Sequence, residues 1–356
     1  MMMANPDSRP ILITGGCGFI GCNLADRLAA RGDRIIVLDN LARAGIRDNA
    51  QWLKSRHRDR VDIMVGDVRD PITVIDSVRD VRAALHLAGQ VAVTDSLEDP
   101  LGDFEINARG TINVLEAVRL HNRTAPVLFA STNKVYGRLL ENSSIERVGC
   151  RYAPRSPALA NGVSEATPLD FYSPYGCSKG AADQYVRDYA RVFGLRTAVL
   201  RMSCIYGPRQ FGTEDQGWIA HFLLSALRGE PLTIFGDGCQ VRDALHVSDA
   251  AEAWITVLDN IERAAGCVFN LGGGPSNAVS LLELIDHISE LCGIHVRHSF
   301  ADWRPGDQPW YVSDTSALSA AFGWKPRTVL RDGLGSLHQW LESRFGLSLG
   351  KREALA

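Results

Sequence analysis

Tyr175 and Lys179 stand four residues apart in the stretch S-P-Y-G-C-S-K-G-A-A-D-Q-Y-V-R-D-Y-A-R-V-F-G, at the head of a helical pattern. Residues at i and i+4 of a helix project from one face, so a phenol and an ammonium share a surface here. A free tyrosine ionises near pH ~10, and a base that works near neutrality needs this lowered by about three units, on the order of 4 kcal/mol. An adjacent ammonium and a cationic nicotinamide ring both act in that direction. The outcome is a base suited to a sugar hydroxyl whose carbon loses hydride to a nicotinamide, and the same ammonium can bond the nicotinamide ribose. Upstream, V-L-F-A-S-T-N-K-V-Y-G reads as a strand that delivers Thr132 at its carboxyl end, where open α/β sheets place ligands. A hydroxyl there can share a hydrogen bond with the reacting oxygen. Taken singly, a Tyr–Lys pair at this spacing is as often a packed helix face, and an isolated strand-end Thr more often bonds to backbone; the combination carries the reading.

These side chains need a scaffold that brings strand ends and helix starts together. Apolar runs at Ile11–Thr14, Arg34–Leu38, Val61–Val65, Ala83–Leu87, Val127–Ala130 and Thr197–Arg201 read as short buried strands, separated by amphipathic stretches such as Asn23–Arg31 and Thr111–His121. That alternation implies βαβ units and an α/β fold, a doubly wound parallel sheet with helices on both faces. Past Tyr206 the pattern loosens into G-D-G-C-Q-V-R-D, F-N-L-G-G-G and a helical pattern from Leu281 to Cys292. This reads as a smaller, mixed α/β substrate domain interleaved with the first: residues 1–200 with 240–270 for the sheet domain, and 201–239 with 271–356 for the smaller one. The stretch Arg138–Pro168, rich in Pro, Ser, Asn and Gly, reads as a long loop, either a functional cover or disordered.

Bulk properties narrow the classes. The chain has 356 residues, 46 % apolar and 22 % charged, enough for one large domain or two modest ones of ordinary globular composition. A net charge of −3 without a long basic block argues against nucleic acid. No apolar run reaches the roughly eighteen residues of a membrane span, and M-M-M-A-N-P-D-S-R-P lacks the apolar stretch of a signal peptide. Eight scattered cysteines form no C-x-x-C pair, the pattern of reduced thiols in a cytoplasmic protein. Nine histidines show no H-x-x-x-H or other metal spacing, so no metal is expected.

The first strand runs into G-G-C-G-F-I-G, in which Gly15, Gly18 and Gly21 give the spacing G-x-x-G-x-x-G, with Phe19 and Ile20 between them and a helical pattern directly after. Glycines let the backbone turn tightly and approach a pyrophosphate that faces a helix N-terminus. Eighteen residues past Gly21, Asp39 ends the next strand in I-I-V-L-D-N-L, followed by Asn40. A carboxylate there accepts from the adenosine ribose and repels a 2′-phosphate, which favours NAD; the nearby Arg43 leaves room for NADP. Asp67 and Val68 in G-D-V-R-D can hold the adenine edge. Leu87, Ala88 and Gly89 in H-L-A-G-Q-V are small enough, at the last two positions, to let the cofactor pass.

In this order the residues resemble the extended short-chain dehydrogenase/reductase family, the nucleotide-sugar epimerases and dehydratases. G-G-C-G-F-I-G, H-L-A-G-Q, S-T-N-K-V-Y-G, Y-G-C-S-K and R-x-x-x-x-Y-G-P (Arg201 to Pro208) follow that family's sequence of motifs, over about Ile11 to Trp340. The resemblance implies a Rossmann-type sheet, a retained NAD, a C-terminal nucleotide-sugar domain and a homodimer. It makes Thr132, Tyr175 and Lys179 catalytic and Asn107 a structural or relay residue near Lys179. Longer stretches, among them D-F-Y-S-P-Y-G-C-S-K-G-A-A-D-Q-Y, R-Q-F-G-T-E-D-Q-G-W, Q-V-R-D-A-L-H and D-F-E-I-N, are similar to the branch that inverts carbon 2 of CDP-linked hexoses.

One departure separates branches. The family's 4,6-dehydratases carry an Asp-Glu pair directly after the catalytic Thr, because elimination of water needs an acid and a base. Here Asn133 and Lys134 stand there. Asn has no carboxylic proton to give, whereas reversible oxidation of a ring hydroxyl needs neither group. Asn133 and Lys134 then orient neighbouring hydroxyls, or bond within their own loop. Arg242 in Q-V-R-D and Arg304 in R-P-G-D-Q are candidates for the substrate diphosphate, since guanidinium forks match phosphate oxygens; their bland alternative is salt bridging with Asp243 and Asp307. Asp307 itself, Gln216 and Trp218 in D-Q-G-W, and Cys204 complete the substrate candidates, with Trp218 alternatively core. The function expected is an NAD-dependent epimerase; the alternatives are a UDP-sugar 4-epimerase or decarboxylase of the same fold, or a non-catalytic NAD-binding regulator.

Overall fold

Seven parallel strands make the central sheet of the computed structural model, which describes residues 8–140, 144–304 and 306–347. In chain order the strands are β1 (Ile11–Thr14), β2 (Ile35–Asp39), β3 (Val61–Val65), β4 (Ala83–His86), β5 (Val127–Thr132), β6 (Ile145–Val148), β7 (Arg151–Pro154), β8 (Thr197–Met202), β9 (Cys204–Tyr206), β10 (Leu232–Phe235), β11 (Val241–His246), β12 (Val268–Leu271), β13 (Ala278–Ser280), β14 (His298–Ala301) and β15 (Trp310–Tyr311). The large sheet has the order β12-β8-β5-β4-β1-β2-β3. The chain steps outward from β1 to β3, then crosses back to place β4 on the other side of β1. At such a reversal the loops that follow the strands diverge and leave a crevice at the carboxyl edge.

Strands β1, β4 and β5 are buried along their whole length, as befits a parallel sheet covered on both faces. Leu24, Leu28 and Trp254, from the helices Phe19–Arg31 and Val247–Asp259, fill one face. Val114, Val118 and Val186, from Gly110–His121 and Ser173–Phe193, fill the other. The predicted strands lie within a residue or two of the observed ones: β2 shifts by one, β4 ends one residue sooner, β5 runs on to Thr132 and β8 to Met202. The first helix begins at Phe19, earlier than the expected Asn23, because the glycine loop leads straight into it.

The smaller region holds a parallel pair, β10 with β14, and a mixed sheet in which β11 lies between antiparallel β13 and parallel β15. β11, inside the 240–270 stretch expected with the large sheet, belongs to this mixed sheet, while β12 joins the large one. The segment Arg138–Pro168 is more than a loop. Within its described residues β6 and β7 pair as an antiparallel hairpin, which docks on the smaller region. Arg151 forks onto Glu283 at 2.7 and 2.5 Å, and the Tyr152 hydroxyl donates to Asp237 at 2.6 Å. Glu283 also closes the capping box with Ser280 that starts the helix Leu281–Cys292. No helix among the described residues is long and apolar enough to cross a membrane.

One buried ion pair joins the pieces that matter for the crevice. Arg201 on β8 donates from Nε and Nη2 to the two oxygens of Asp183 on the helix Ser173–Phe193, each at 2.9 Å. Its Nη1 reaches the Tyr136 hydroxyl at 3.0 Å, and Ser131 on β5 donates to Asp183 at 2.8 Å. Tyr136 passes the chain on to Asn270 of β12 at 2.7 Å. The side chains of Arg201 and Asp183 are 2 % and 0 % exposed, so each is costly without the other. Replacing Arg201 by Met should lower the free energy of unfolding by about 3–5 kcal/mol, read from urea denaturation, and adding Asp183→Leu should recover much of that loss. An Arg201→Met protein as stable as its parent would show that the fork does not brace this region.

Candidate active site

The loop between β1 and the first helix has no room for side chains at two of its glycines. Gly15 has φ +66°, and a Cβ there would lie 2.7 Å from the backbone nitrogen of Ala88; a Cβ on Gly21 would run into the carbonyl oxygen of Gly15. The helix is capped by Gly18, with no side-chain cap and no acidic residue in its first turn. Its leading amides are thus left to an anion in the loop. Asp39 ends β2 with its carboxylate turned back on this loop, accepting from the nitrogens of Cys17 at 3.0 Å and Leu41 at 2.9 Å. Burial raises its pKa and these backbone donors pull it back; two carboxylate oxygens retain lone pairs for ribose hydroxyls. Asn40 donates to Asp67 at 2.9 Å, and the Arg69 guanidinium bonded to Asp67 holds that carboxyl down at about 2. Val68 is buried under Gly110, Leu87 bonds to Thr14 of β1, and the Ala88 nitrogen donates to the Thr14 hydroxyl at 3.2 Å. A glycine cradle, an uncapped helix and a strand-end carboxylate together fit a dinucleotide.

Thr132 closes β5, and Tyr175 sits at the start of the helix Ser173–Phe193, with Pro174 opening its first turn. Pro is suited to that position because the first-turn N–H has no partner in the helix. Tyr175 and Lys179 are 7 % and 4 % exposed, and Thr132 and Tyr175 line the same cavity, close enough for the Thr132 hydroxyl to favour the ionised phenol. Lys179 Nζ stands 4.2 Å from the centre of the Phe129 ring and beside Gly89. Burial pushes the phenol up to about 12 against the influence of the Thr132 hydroxyl, and pushes Lys179 down to about 7 against the charges of Asp103 and Asp183. Desolvation is the largest effect on the phenol and the Asp103 charge adds to it, so a phenolate here needs a positive charge in the crevice, the direction in which an oxidised nicotinamide acts. Behind the pair, Asn107 donates to Asp103 at 3.0 Å and to Ser178 at 3.1 Å, while its carbonyl oxygen accepts from the Gln90 nitrogen at 2.9 Å.

All ten substrate candidates line one cavity of about 380 Å³: Thr132, Asn133, Lys134, Tyr175, Cys204, Gln216, Trp218, Arg242, Arg304 and Asp307. Phe19 and Ile20 of the glycine loop share its wall, so cofactor and substrate spaces adjoin. Asn133 donates to Gln308 at 3.2 Å, and Lys134 donates to the Gly306 carbonyl at 3.2 Å. Burial, with Arg242 nearby, pushes Lys134 down to about 8. Trp218 lines the cavity, donates to the Cys204 sulfur at 3.4 Å and also packs on the smaller core. Three candidates are engaged differently from the expectation. Arg242 is paired with Asp307 at 2.5 Å rather than with Asp243. Arg304 bonds the Glu214 carbonyl at 3.1 Å and Asp215 at 3.3 Å, with its guanidinium 3.8 Å from the centre of the Phe235 ring. Gln216 accepts from Arg43, which ties the substrate loop to the cofactor side.

Several lining residues escaped the sequence reading although patterns pointed to them. Thr233 and Phe235 alternate along β10 with the buried Leu232 and Ile234, so a period of two sets them on the cavity face. Thr94 and Leu97 lie three apart on the short helix Val93–Glu98. Behind the wall, Gln308, fully buried and bonded to Asn133 and to the Gly137 carbonyl, had no local signal at all.

Residues 11–272 match the NAD dependent epimerase/dehydratase family. The chain is 43 % identical over 343 residues to the CDP-paratose 2-epimerase of Salmonella typhi, covering 94 % of this chain and 99 % of that protein. It is 31 % identical over 353 residues to the dTDP-glucose 4,6-dehydratase of Xanthomonas campestris pv. campestris (strain B100), covering 92 % of each. The structure of the UDP-glucose 4-epimerase of Thermus thermophilus in complex with NAD aligns with a TM-score of 0.78 and 32 % identity, over 94 % of this chain and 99 % of that one. Sequence and fold agree over nearly the whole length, and the chain belongs to the NAD dependent epimerase/dehydratase family, with NAD as its cofactor.

Proposed function

We propose that the chain is an epimerase of a CDP-linked hexose that inverts carbon 2 of the sugar through a transient keto sugar. The observation that carries this reading is the wall of the cavity at Thr132–Lys134. Next to Thr132 and Tyr175 stand an amide held by Gln308 and an amine held by the Gly306 carbonyl, where elimination of water would need a carboxylic acid and a carboxylate. The 43 % identity to a CDP-paratose 2-epimerase supports the sugar nucleotide and the carbon. A 4-epimerase is the second reading, favoured by the likeness to the UDP-glucose 4-epimerase structure.

Gly15, Gly18, Phe19, Ile20 and Gly21 would hold the cofactor diphosphate, Asp39 and Asn40 the adenosine ribose, Asp67 and Val68 the adenine, and Leu87, Ala88, Gly89 and Lys179 the nicotinamide half. When bound, NAD supplies the carbon that takes hydride from the sugar and returns it. The chain's own work is proton transfer and positioning. Tyr175 takes the proton of the reacting hydroxyl and gives it back, Thr132 holds the same oxygen, and Lys179 offsets the phenolate charge in a site where water no longer screens it. Arg242 and Arg304 take the diphosphate by exchanging Asp307 and Asp215 for phosphate oxygens.

Two further elements belong to this proposal. The homodimer is supported by exposed Leu101 and Phe104 on the helix Pro100–Phe104 and exposed Tyr185 on Ser173–Phe193, two helices that pack together. A cytoplasmic location is supported by eight free cysteines.

Incubated with CDP-paratose in heavy water, the protein should give the carbon-2 epimer without solvent deuterium at that carbon, read by NMR. Deuterium there, or inversion at carbon 4, would overturn the reading. Tyr175→Phe should cut kcat by about 10²–10⁴-fold with bound NAD unchanged; a loss under tenfold would remove Tyr175 as the base. Leu101→Glu with Tyr185→Glu should convert a dimer to a monomer in light scattering, and a variant that keeps the parent's mass would place the interface elsewhere.

A further inference from the structure

Two buried carboxylates flank Lys179, and only one is matched to a cation. Asp183 is forked by Arg201. Asp103, 2 % exposed, accepts from the Ser178 hydroxyl and from the Asn107 amide at 3.0 Å, both neutral, and has no ion pair among the described residues. A buried carboxylate without a counter-charge is strongly disfavoured. The nearest candidate is the amine of Lys179, the residue after Ser178. The hydrogen bonds also have a direction. Asn107 gives its amide hydrogens to Asp103 and Ser178, which turns its carbonyl oxygen toward the Gln90 nitrogen and Gly89, where the Lys179 amine also lies. Ser178 in turn bonds the Tyr175 carbonyl at 3.2 Å. Asp103 therefore reaches the Tyr175–Lys179 turn from a separate helix, Pro100–Phe104, whose start is capped by Asp99.

We propose that Asp103 is a positioning residue that keeps Lys179 an ammonium and locks the Tyr175–Lys179 turn against Asn107. The other groups facing Lys179 supply less of this charge, or none. Asp183 on its own helix acts in the same direction but less than Asp103, its charge being shared with the Arg201 fork. His86 on β4 is held between Thr14 and Thr111 and kept neutral by burial, its pKa pushed down to about 3. Phe129 on β5 offers only its ring face, and Tyr175 is itself the group to be served. The catalytic consequence rests on the function proposed above; the charge assignment does not.

The direction follows from the signs. Lys179 sits at about 7 in the fold, below the usual amine range, because burial outweighs Asp103 and Asp183. Removing the Asp103 charge lowers it further, so the ammonium is lost at a lower pH and the alkaline limb of the turnover profile moves down. The chain has five lysines, so 13Cε-lysine NMR of the NAD-loaded protein resolves Lys179, assigned with Lys179→Arg. Asp103→Asn, an isostere without charge, should lower the Lys179 midpoint by about one pH unit or more. Ser178→Ala, which keeps the charge and removes one hydrogen bond, should leave it in place. An unchanged midpoint in folded Asp103→Asn, or an equal fall in Ser178→Ala, overturns the proposal. The parent protein gives a check that needs no fold-compromising variant: the Asp103 13Cγ shift should follow the Lys179 midpoint, and a carboxyl silent through it counts against the assignment. No substrate enters these measurements, so they stand apart from the test of carbon-2 inversion.

Discussion

An ammonium taken out of water keeps its charge only where other charges and dipoles replace its hydration, and Lys179 is 4 % exposed. The surroundings of this one amine account for much of what lies beneath the crevice. The ring of Phe129 on β5 faces it, Asp183 sits one turn further along its helix, and Asp103 approaches from a neighbouring helix. Arg201 then balances Asp183, and Tyr136 and Ser131 satisfy what remains of that fork. A chain of buried polar contacts runs in this way from the reacting end of the helix Ser173–Phe193 through β5 and β8 to β12. Partial satisfaction of such a network is worse than an apolar core, which explains why so many of its members are fully buried and bonded.

The same desolvation divides labour between protein and cofactor. The protein holds the phenol high and the amine low, so neither is poised by the chain alone. A positive ring placed in the crevice favours the phenolate, so under the proposed function binding the oxidised cofactor and preparing the base would be one event. The substrate end follows a parallel logic. Asp307 and Asp215 pair with the guanidinium groups of Arg242 and Arg304, so both cations are satisfied and held in place; under the proposed function a diphosphate would take over these pairings at less cost than desolvating free arginines. The Arg43–Gln216 contact joins this end to the cofactor side.

Much of the scaffold was legible because its signals are local. Strand runs, the glycine spacing, the acidic residue after β2 and the i, i+4 pair each depend on chain geometry within a few residues, and they fall where expected to within one or two positions. The ten substrate candidates, scattered between Thr132 and Asp307, line a single cavity, as motif order implied. The hairpin β6–β7 was missed because its strands are short and held by docking, through Arg151 on Glu283 and Tyr152 on Asp237, more than by their own pattern. Gln308 was missed because a lone glutamine has no periodicity to betray that it is buried.

The sequence by itself determined the kind of chemistry: a phenol and an amine on one helical turn, a hydroxyl at a strand end, glycines where a Cβ cannot fit, and no carboxylate pair after Thr132. Only the tertiary structure decided the energetics. Whether Lys179 lowers Tyr175 depends on how much water both have lost, and whether Arg242 meets Asp243 or Asp307 depends on which loop folds over it. Desolvation and charge pairing are sums over neighbours brought together from distant parts of the chain, and no spacing within one segment encodes them.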